Sequence, residues 1–354
     1  MNNNFSIICN GQEYKDCWKD ININMSIQTI CNQLSVSTID FFAGDFSKWE
    51  IKKGSKYLAK INNEVIGNGY IDTINSNYSN SETSFNFSGR DITCDLVDCP
   101  YFGDNFEFKN QTIKNIINIF CSYFNIQLYI DPIVETLVNK KIENYTIDMG
   151  RSASEQIVEL CSMIGVLPIS LGNGKLTITQ TNIGGEICDD IILDNNVING
   201  SMTDSFADRF SEYITMTDNK LDKSDFNSEE EWLLYIKNIK KISGKIDDIE
   251  ITRKRPFVML VDNMTSIEQC EKRSQYEKNI KEAQGLILNY ELEGWTQVKS
   301  GKVWKPNKLV LVNDNRFNIK LEPMLITDVN LSYSDGFTTS LELVRPNCFS
   351  TLEG

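Results

Sequence analysis

Residues 56–70 read Lys-Tyr-Leu-Ala-Lys-Ile-Asn-Asn-Glu-Val-Ile-Gly-Asn-Gly-Tyr. Two runs, Lys56–Ile61 and Glu64–Tyr70, alternate apolar and polar residues, which is the period of a half-buried strand. Between them sits Asn62-Asn63, and asparagine tolerates the positive φ that primed turns require, so the stretch predicts a tight hairpin. The same alternation recurs to either side. Phe5–Cys9, Asp20–Ile27 and Ser37–Phe42 precede the hairpin and Glu82–Gly89 follows it, with turn signals at Asn10-Gly11 and Asn75–Asn80. Six short strands at this spacing predict a small barrel or sandwich over residues 1–105.

Near residue 106 the period changes. Ile113, Ile116, Ile117, Phe120, Cys121 and Phe124 fall on one face of a helix. A strand, Ile126–Ile130, ends at Asp131-Pro132. A second helix opens with Ser152 and Glu155 as a capping box, carries the stripe Ile157, Leu160, Cys161 and Ile164, and closes at Gly165. Leu167–Leu171, the turn Gly172-Asn173-Gly174 and Leu176–Thr181 predict another hairpin. Residues 106–200 therefore read as an α+β insert. Strand character resumes at Ser211–Asp218 and is interrupted by a polar excursion over 219–245, with the acidic cluster Glu229–Glu231 and an amphipathic stretch, Trp232–Ile239. Thr265 and Glu268 form a further capping box for a helix over 265–284. Leu286–Glu293, Val303–Trp304, Lys308–Val312, Phe317–Leu321, Leu325–Tyr333 and Phe337–Leu343 then read as strands. The expectation is an α+β, mainly β chain: a first β domain at 1–105, the insert, a second β domain at 201–346 and a tail at 347–354.

Composition excludes several chemistries. The 354 residues contain no histidine, which removes Ser-His-Asp and Cys-His triads and the histidine zinc sites. Only five alanines argue against a helical bundle, and the 38 asparagines fit an AT-rich coding bias, because no segment is low-complexity. Thirty-five basic against forty-nine acidic residues give a net charge of −14, so binding nucleic acid through a broad basic surface is not expected. The start of the chain lacks the basic-then-apolar pattern of a signal peptide, and the longest apolar runs, such as Phe257–Val261, are far too short to span a membrane. The ten cysteines include no Cys-x-x-Cys pair; zinc held by thiolates alone stays open, but the spacing is not that of a finger or ribbon, and the cysteines read as reduced, buried and hydrophobe-like.

No catalytic motif stands out. Asp218, Lys220 and Asp222 fall at the first odd positions of a calcium loop, but Lys220 is no oxygen ligand and Lys223 replaces the turn glycine. Gly172-Asn173-Gly174-Lys175 lacks the spacing of a phosphate loop and joins two strands. A carboxylate pair could hydrolyse a glycan without histidine, yet no pair singles itself out. Two stretches are unusual. Gly89-Arg90-Asp91-Ile92-Thr93-Cys94-Asp95-Leu96-Val97-Asp98-Cys99-Pro100 leaves a strand with Arg90 near Asp91 and Asp95, a set suited to tying the first domain to the insert. Gly294 to Asn307 places Trp295 and Trp304 around a polar turn, followed by Pro306 and Asn307. That arrangement suits either an aromatic pair closing the β domain or a ligand-stacking surface.

At these residues the chain resembles the baseplate hub proteins of contractile phage tails, in their Mu-like branch. Gly89–Cys99 resembles that family's segment at the end of its first barrel. Ala153–Gly165 with Gly174–Ile178 resembles its central segment. Glu268–Gln284, Leu286–Glu293 and Gly294 through Val310 follow its later order of charged helix, strand and paired tryptophans. The likeness runs over residues 4–346, and 219–245 has no counterpart. It implies a structural, non-enzymatic protein without cofactor or metal: a homotrimer with two tail-tube-like barrels per chain, forming a pseudo-six-fold ring. Such a hub joins the six-fold tail tube to the three-fold central spike, also meets wedge and tape measure proteins, and occurs in phage tails and in contractile bacteriocins. A tail-associated peptidoglycan hydrolase and a cell-surface glycan-binding module are the competing readings.

Overall fold

The computed structural model describes residues 4–39, 45–80, 83–182, 185–193, 195–218, 227–239, 242–262 and 266–346. Two compact units divide the chain: Met1–Ser201 with Leu288–Leu343, and Met202–Ile287 with Val344–Gly354.

The first unit is organised by one 13-stranded sheet. The expected hairpin is present, with Asn62 and Asn63 at φ of 49° and 70°, but its second strand runs from Glu64 to Tyr78, past the expected Tyr70, and Asn75–Tyr78, read as a turn, pairs with Thr83–Asn86 instead. From edge to edge the strands are Val197–Asp204, Leu286–Glu293, Phe337–Val344, Ile319–Tyr333, Trp18–Ser26, Gln33–Thr38, Thr83–Asp91, Glu64–Tyr78, Lys56–Ile61, Phe5–Cys9 and Gln12–Lys15. Leu309–Asp314 pairs with Ile319–Tyr333, and Ile187–Ile192 pairs with Leu309–Asp314 in parallel. The two β regions meet in this sheet, because Trp18–Ser26 and Ile319–Tyr333 pair from Ser26 opposite Asp328 to Ile21 opposite Tyr333. That pairing satisfies backbone groups that either region alone would leave bare at an edge.

Several strands differ from expectation. The strand placed at Ser37–Phe42 is Gln33–Thr38, where Leu34, Val36 and Thr38 point inward between polar neighbours; residues 40–44 lie outside the described set. Phe317–Leu321 does not stand alone, since a single strand runs from Ile319 to Tyr333. Val303 makes only an isolated bridge to Thr296. Gln12–Lys15, Ile187–Ile192 and Val197–Asp204 are additional strands.

The middle of the chain packs a separate core within the first unit. Ile113–Tyr123 and Ala153–Ser162 are helices whose inward faces are those read from the sequence. Ser152 and Glu155 make the reciprocal capping box, and Gly165 takes a φ of 67° after the second helix. Glu107–Thr112 pairs with Lys141–Thr146, while Leu167–Ser170 and Lys175–Thr179 form the expected hairpin, to which Gln127–Ile130 adds in parallel. A parallel pair needs a long crossover, and the helix Ala153–Ser162 lies in it.

In the second unit, Ser243–Asp247, Glu212–Asp218 and Pro256–Asp262 make a three-stranded sheet, the last pair parallel. The helix Ile267–Gln284 packs on it, with Ser274 Oγ 2.9 Å from Thr215 Oγ1 and donating to Gly244 O at 3.1 Å. Its N-cap is Ser266, which accepts from Gln269 N, one residue beyond the expected Thr265. Of the 219–245 excursion, the helix Glu229–Ile239 and the strand from Ser243 are described. Thr265, Lys220, Asp222, Lys223 and the 347–354 tail lie outside the described residues.

Candidate functional site

The residues singled out in the sequence sit at joints between segments of the first unit. Arg90 lies near the end of Thr83–Asp91. Its Nε donates to Asp72 Oδ2 at 2.8 Å, while Nη1 and Nη2 grip Asp98 at 2.9 and 2.7 Å. Asp98 closes the short helix Cys94–Asp98, so the fork ties strand to helix. These bonds raise the pKa of Arg90 and lower that of Asp98. The expected partners, Asp91 and Asp95, are not engaged. Successive strand residues point to opposite faces, so Arg90 turns outward as Asp91 turns in. Asp95 sits in the first turn of the short helix.

Asp91 is fully buried. It accepts from Ser170 Oγ at 2.7 Å and from Asn68 N at 3.4 Å, and its own N–H donates to Asn32 O at 3.1 Å. Burial pushes its carboxyl up to about 6. The Gly172-Asn173-Gly174 turn closes over the same place. A Cβ on Gly172 would lie 2.2 Å from Ile66 O, and one on Gly174 would lie 2.4 Å from Asn68 Nδ2. Both glycines also take positive φ, 75° and 79°. This glycine-rich stretch is thus a strand-joining turn fitted against the Glu64–Tyr78 strand, not a phosphate loop.

The 294–307 stretch makes the next joint. Trp295 and Trp304 are both buried, so they serve the core rather than a ligand. Trp295 donates to Ser332 O at 2.8 Å and packs edge-on against Phe5 and Phe337. Pro306 is buried beside them in sequence. Asn307, at a φ of 59°, accepts from Asn182 N and donates to Gln180 O, both at 2.9 Å. Glu64, at the turn of the first hairpin, accepts from Val303 N at 3.3 Å and pairs with Lys305 at 2.5 Å.

Sequence reasoning missed a buried ion pair in the second unit. Arg209 grips Asp248 through contacts of 3.1, 3.0 and 2.8 Å and reaches Glu250 at 2.7 Å. The pair is 39 residues apart, with no local pattern to announce it. Among the described residues there is no cluster of three metal-ligating side chains, and the nine described cysteines are free. Burial pushes the Cys17, Cys31, Cys94 and Cys121 thiols up to about 12, which disfavours the nucleophilic thiolate. Cys31, Cys99 and Cys188 are only half-buried. Among the described residues no helix is long and apolar enough to cross a membrane.

Three family profiles match this chain in order. Residues 4–91 match the Mu phage baseplate assembly protein GpP-like N-terminal domain, 93–180 the second domain of baseplate hub protein gp44-like proteins, and 266–352 the fourth domain of Mu phage baseplate assembly protein GpP. The chain belongs to the Mu-like baseplate hub family. It is 23% identical to the baseplate hub protein gp44 of Escherichia phage Mu over 345 residues, 97% of this chain and 88% of that protein. Its fold is similar to the 43 kDa tail protein of prophage MuSo2 from Shewanella oneidensis, with a TM-score of 0.83 at 26% identity, covering 98% of this chain and 99% of that one. It is also similar to a tail protein from Neisseria meningitidis, with a TM-score of 0.79 at 17% identity and the same coverage. The hub family is structural, not enzymatic.

Set against the hub domains, the joints acquire a common meaning. Arg90 of the first domain holds Asp98 of the second, and Asp91 holds Ser170. Glu64 of the first holds Val303 and Lys305 of the fourth, and Asn307 of the fourth holds Gln180 at the end of the second. These contacts run between residues of different matched domains.

Proposed function

We propose that the chain is the structural hub of a contractile-tail baseplate, joining the tail tube to the central spike as a homotrimer. The observation that carries this reading is the pairing of Trp18–Ser26 with Ile319–Tyr333. It sets the N-terminal and C-terminal β regions side by side in one chain. Three chains then present six β regions, which suits a ring that meets a six-fold tube on one side and a three-fold spike on the other. In this reading 1–105 and 201–346 are the two tail-tube-like barrel domains and 106–200 is the insert between them. Val197–Asp204 and Gln12–Lys15, the two ends of the large sheet, are edges that neighbouring copies can cover. Closure at three copies satisfies every head-to-tail contact, where an unclosed contact would grow a filament. Wedge and tape measure proteins complete the partner set, and the tail baseplate is where the protein acts.

The test is reconstitution with the tube and spike proteins of the same particle. Native mass spectrometry is expected to show three copies bound to a spike trimer. A stable complex with another stoichiometry, or no association with either partner, would overturn the proposal.

A further inference from the structure

We infer that copies of this chain join head to tail through the second unit, the outward face of the helix Glu229–Ile239 on one copy seating on the open sheet face of Glu212–Asp218 and Pro256–Asp262 on the next. The hub reading supplies only the closure at three copies. Both surfaces lie within 181–265, which none of the three domain matches covers. The sheet of this unit has one covered face: Tyr213 and Thr215 are buried on the side of the helix Ile267–Gln284, where Thr215 meets Ser274. Side chains alternate along a strand, so Ile214 and Met216 point the other way. The parallel register sets Val258 beside Ile214 and Leu260 beside Met216 on that second face. Val258 and Leu260 are each more than half exposed. Lys245, opposite Ile214 on the third strand, is tied to Glu212 and Asp247. The aliphatic side of this face is the uncovered part.

The helix Glu229–Ile239 lies against Glu212–Asp218 of its own chain, with Trp232, Tyr235 and Ile236 half-buried on one face. Glu230, Leu233, Leu234 and Lys237 fall at i, i+3, i+4 and i+7 on the other, and both leucines are more than half exposed. Single exposed leucines are ordinary; a pair on the outer face of a helix already seated by its aromatic face is a second contact surface. The unit thus carries two unlike apolar surfaces. That is the requirement for a head-to-tail contact, which can close into a ring. Charge sets the orientation. Glu230 precedes the leucines on the helix, and the exposed Arg253 and Lys254 precede Val258 on the strand. A helix laid parallel to the strand puts Leu233 and Leu234 on Val258 and Leu260, with Glu230 toward the basic pair. From Glu230 to Leu234 the helix rises about 6 Å, and from Lys254 to Val258 the strand runs about 13 Å; the lysine side chain spans the difference. The reverse orientation would bring Lys237 to the basic pair, like charge on like.

Sedimentation velocity of the full chain tests this with two variants at exposed positions, Leu234→Asp and Leu260→Asp, each checked for wild-type hydrogen exchange in 211–216 and 243–261. The wild type is expected to self-associate, and each variant to do so at least about tenfold more weakly, because an aspartate replaces a leucine buried in the contact. An equimolar mixture of the two is expected to form a one-to-one pair that grows no further, since only one junction then joins two intact surfaces. Should an aspartate variant not fold, the charges give a second arm: Glu230→Lys weakens association, and adding Lys254→Glu recovers part of it. A wild type that stays monomeric, a variant that associates as the wild type does, or a mixture no more associated than its parts would overturn the inference. Binding to tube and spike proteins is read separately. A chain that associates through these surfaces but binds neither would sink the hub reading alone.

Discussion

Replacing Asp248 by alanine should be the most damaging single change in the second unit. Arg209 is 5% exposed and Asp248 2% exposed, with three contacts between 2.8 and 3.1 Å. Burial alone would lower the pKa of Arg209; the Asp248 and Glu250 carboxylates outweigh it and raise the value. Removing one member of such a pair leaves a charge in a site built for two, which costs about 3–5 kcal/mol. Glu250 remains 2.7 Å away, but its side chain is 59% exposed and solvated. The guanidinium also lies over the Phe206 ring at 4.9 Å and keeps that contact. The expected loss is therefore at the low end, about 3 kcal/mol. Urea unfolding followed by hydrogen exchange in residues 211–218 and 243–262 isolates this unit from the rest of the chain. The apolar pair Arg209→Met with Asp248→Leu should recover most of the loss, because no stranded charge remains. A single variant that loses under 1 kcal/mol, or a double variant no better than the single, would refute the reasoning.

Arg90→Ala should destabilise the first unit by about 1–2 kcal/mol, the worth of charge-assisted bonds at a partly exposed site, read as a lowered urea midpoint; an unchanged midpoint and normal assembly would contradict it. Gly172→Ala should cost more than about 2 kcal/mol, since it adds a Cβ against the Ile66 carbonyl and strains a positive φ, with exchange loosening first at residues 66–68 and 170–174. Purified protein should leave peptidoglycan intact in a zymogram. Clearing that disappears on mutation of one Asp or Glu would show a hydrolase.

Local order is the legible part of the sequence. The Asn62-Asn63 hairpin, both helices of the insert and the Gly172–Gly174 turn are readable because each depends on residues within one or two turns of chain. Gln33–Thr38 is easily misplaced because Phe41 and Phe42 draw the strand toward themselves, while serine and threonine carry the real alternation weakly. Val197–Asp204 is an exposed edge strand and has no apolar stripe to find. The fusion of two β regions into one sheet depends on pairing between residues some three hundred positions apart, and periodicity carries no such information. Arg90 stands out in the sequence, but it bonds Asp72 and Asp98 rather than the neighbours named there. The alternation of strand faces is the available signal against Asp91, and only the position of the short helix brings Asp98 into reach. Arg209 and Asp248 are joined by tertiary packing alone.

The central claim is that this chain closes a trimeric hub between tube and spike, and cryo-electron microscopy of the assembled particle tests it most directly. The account predicts three copies around the tail axis, with the N-terminal and C-terminal β regions alternating as six similar positions beneath the tube. Any other copy number, or two β regions that do not occupy equivalent positions around the axis, would contradict it.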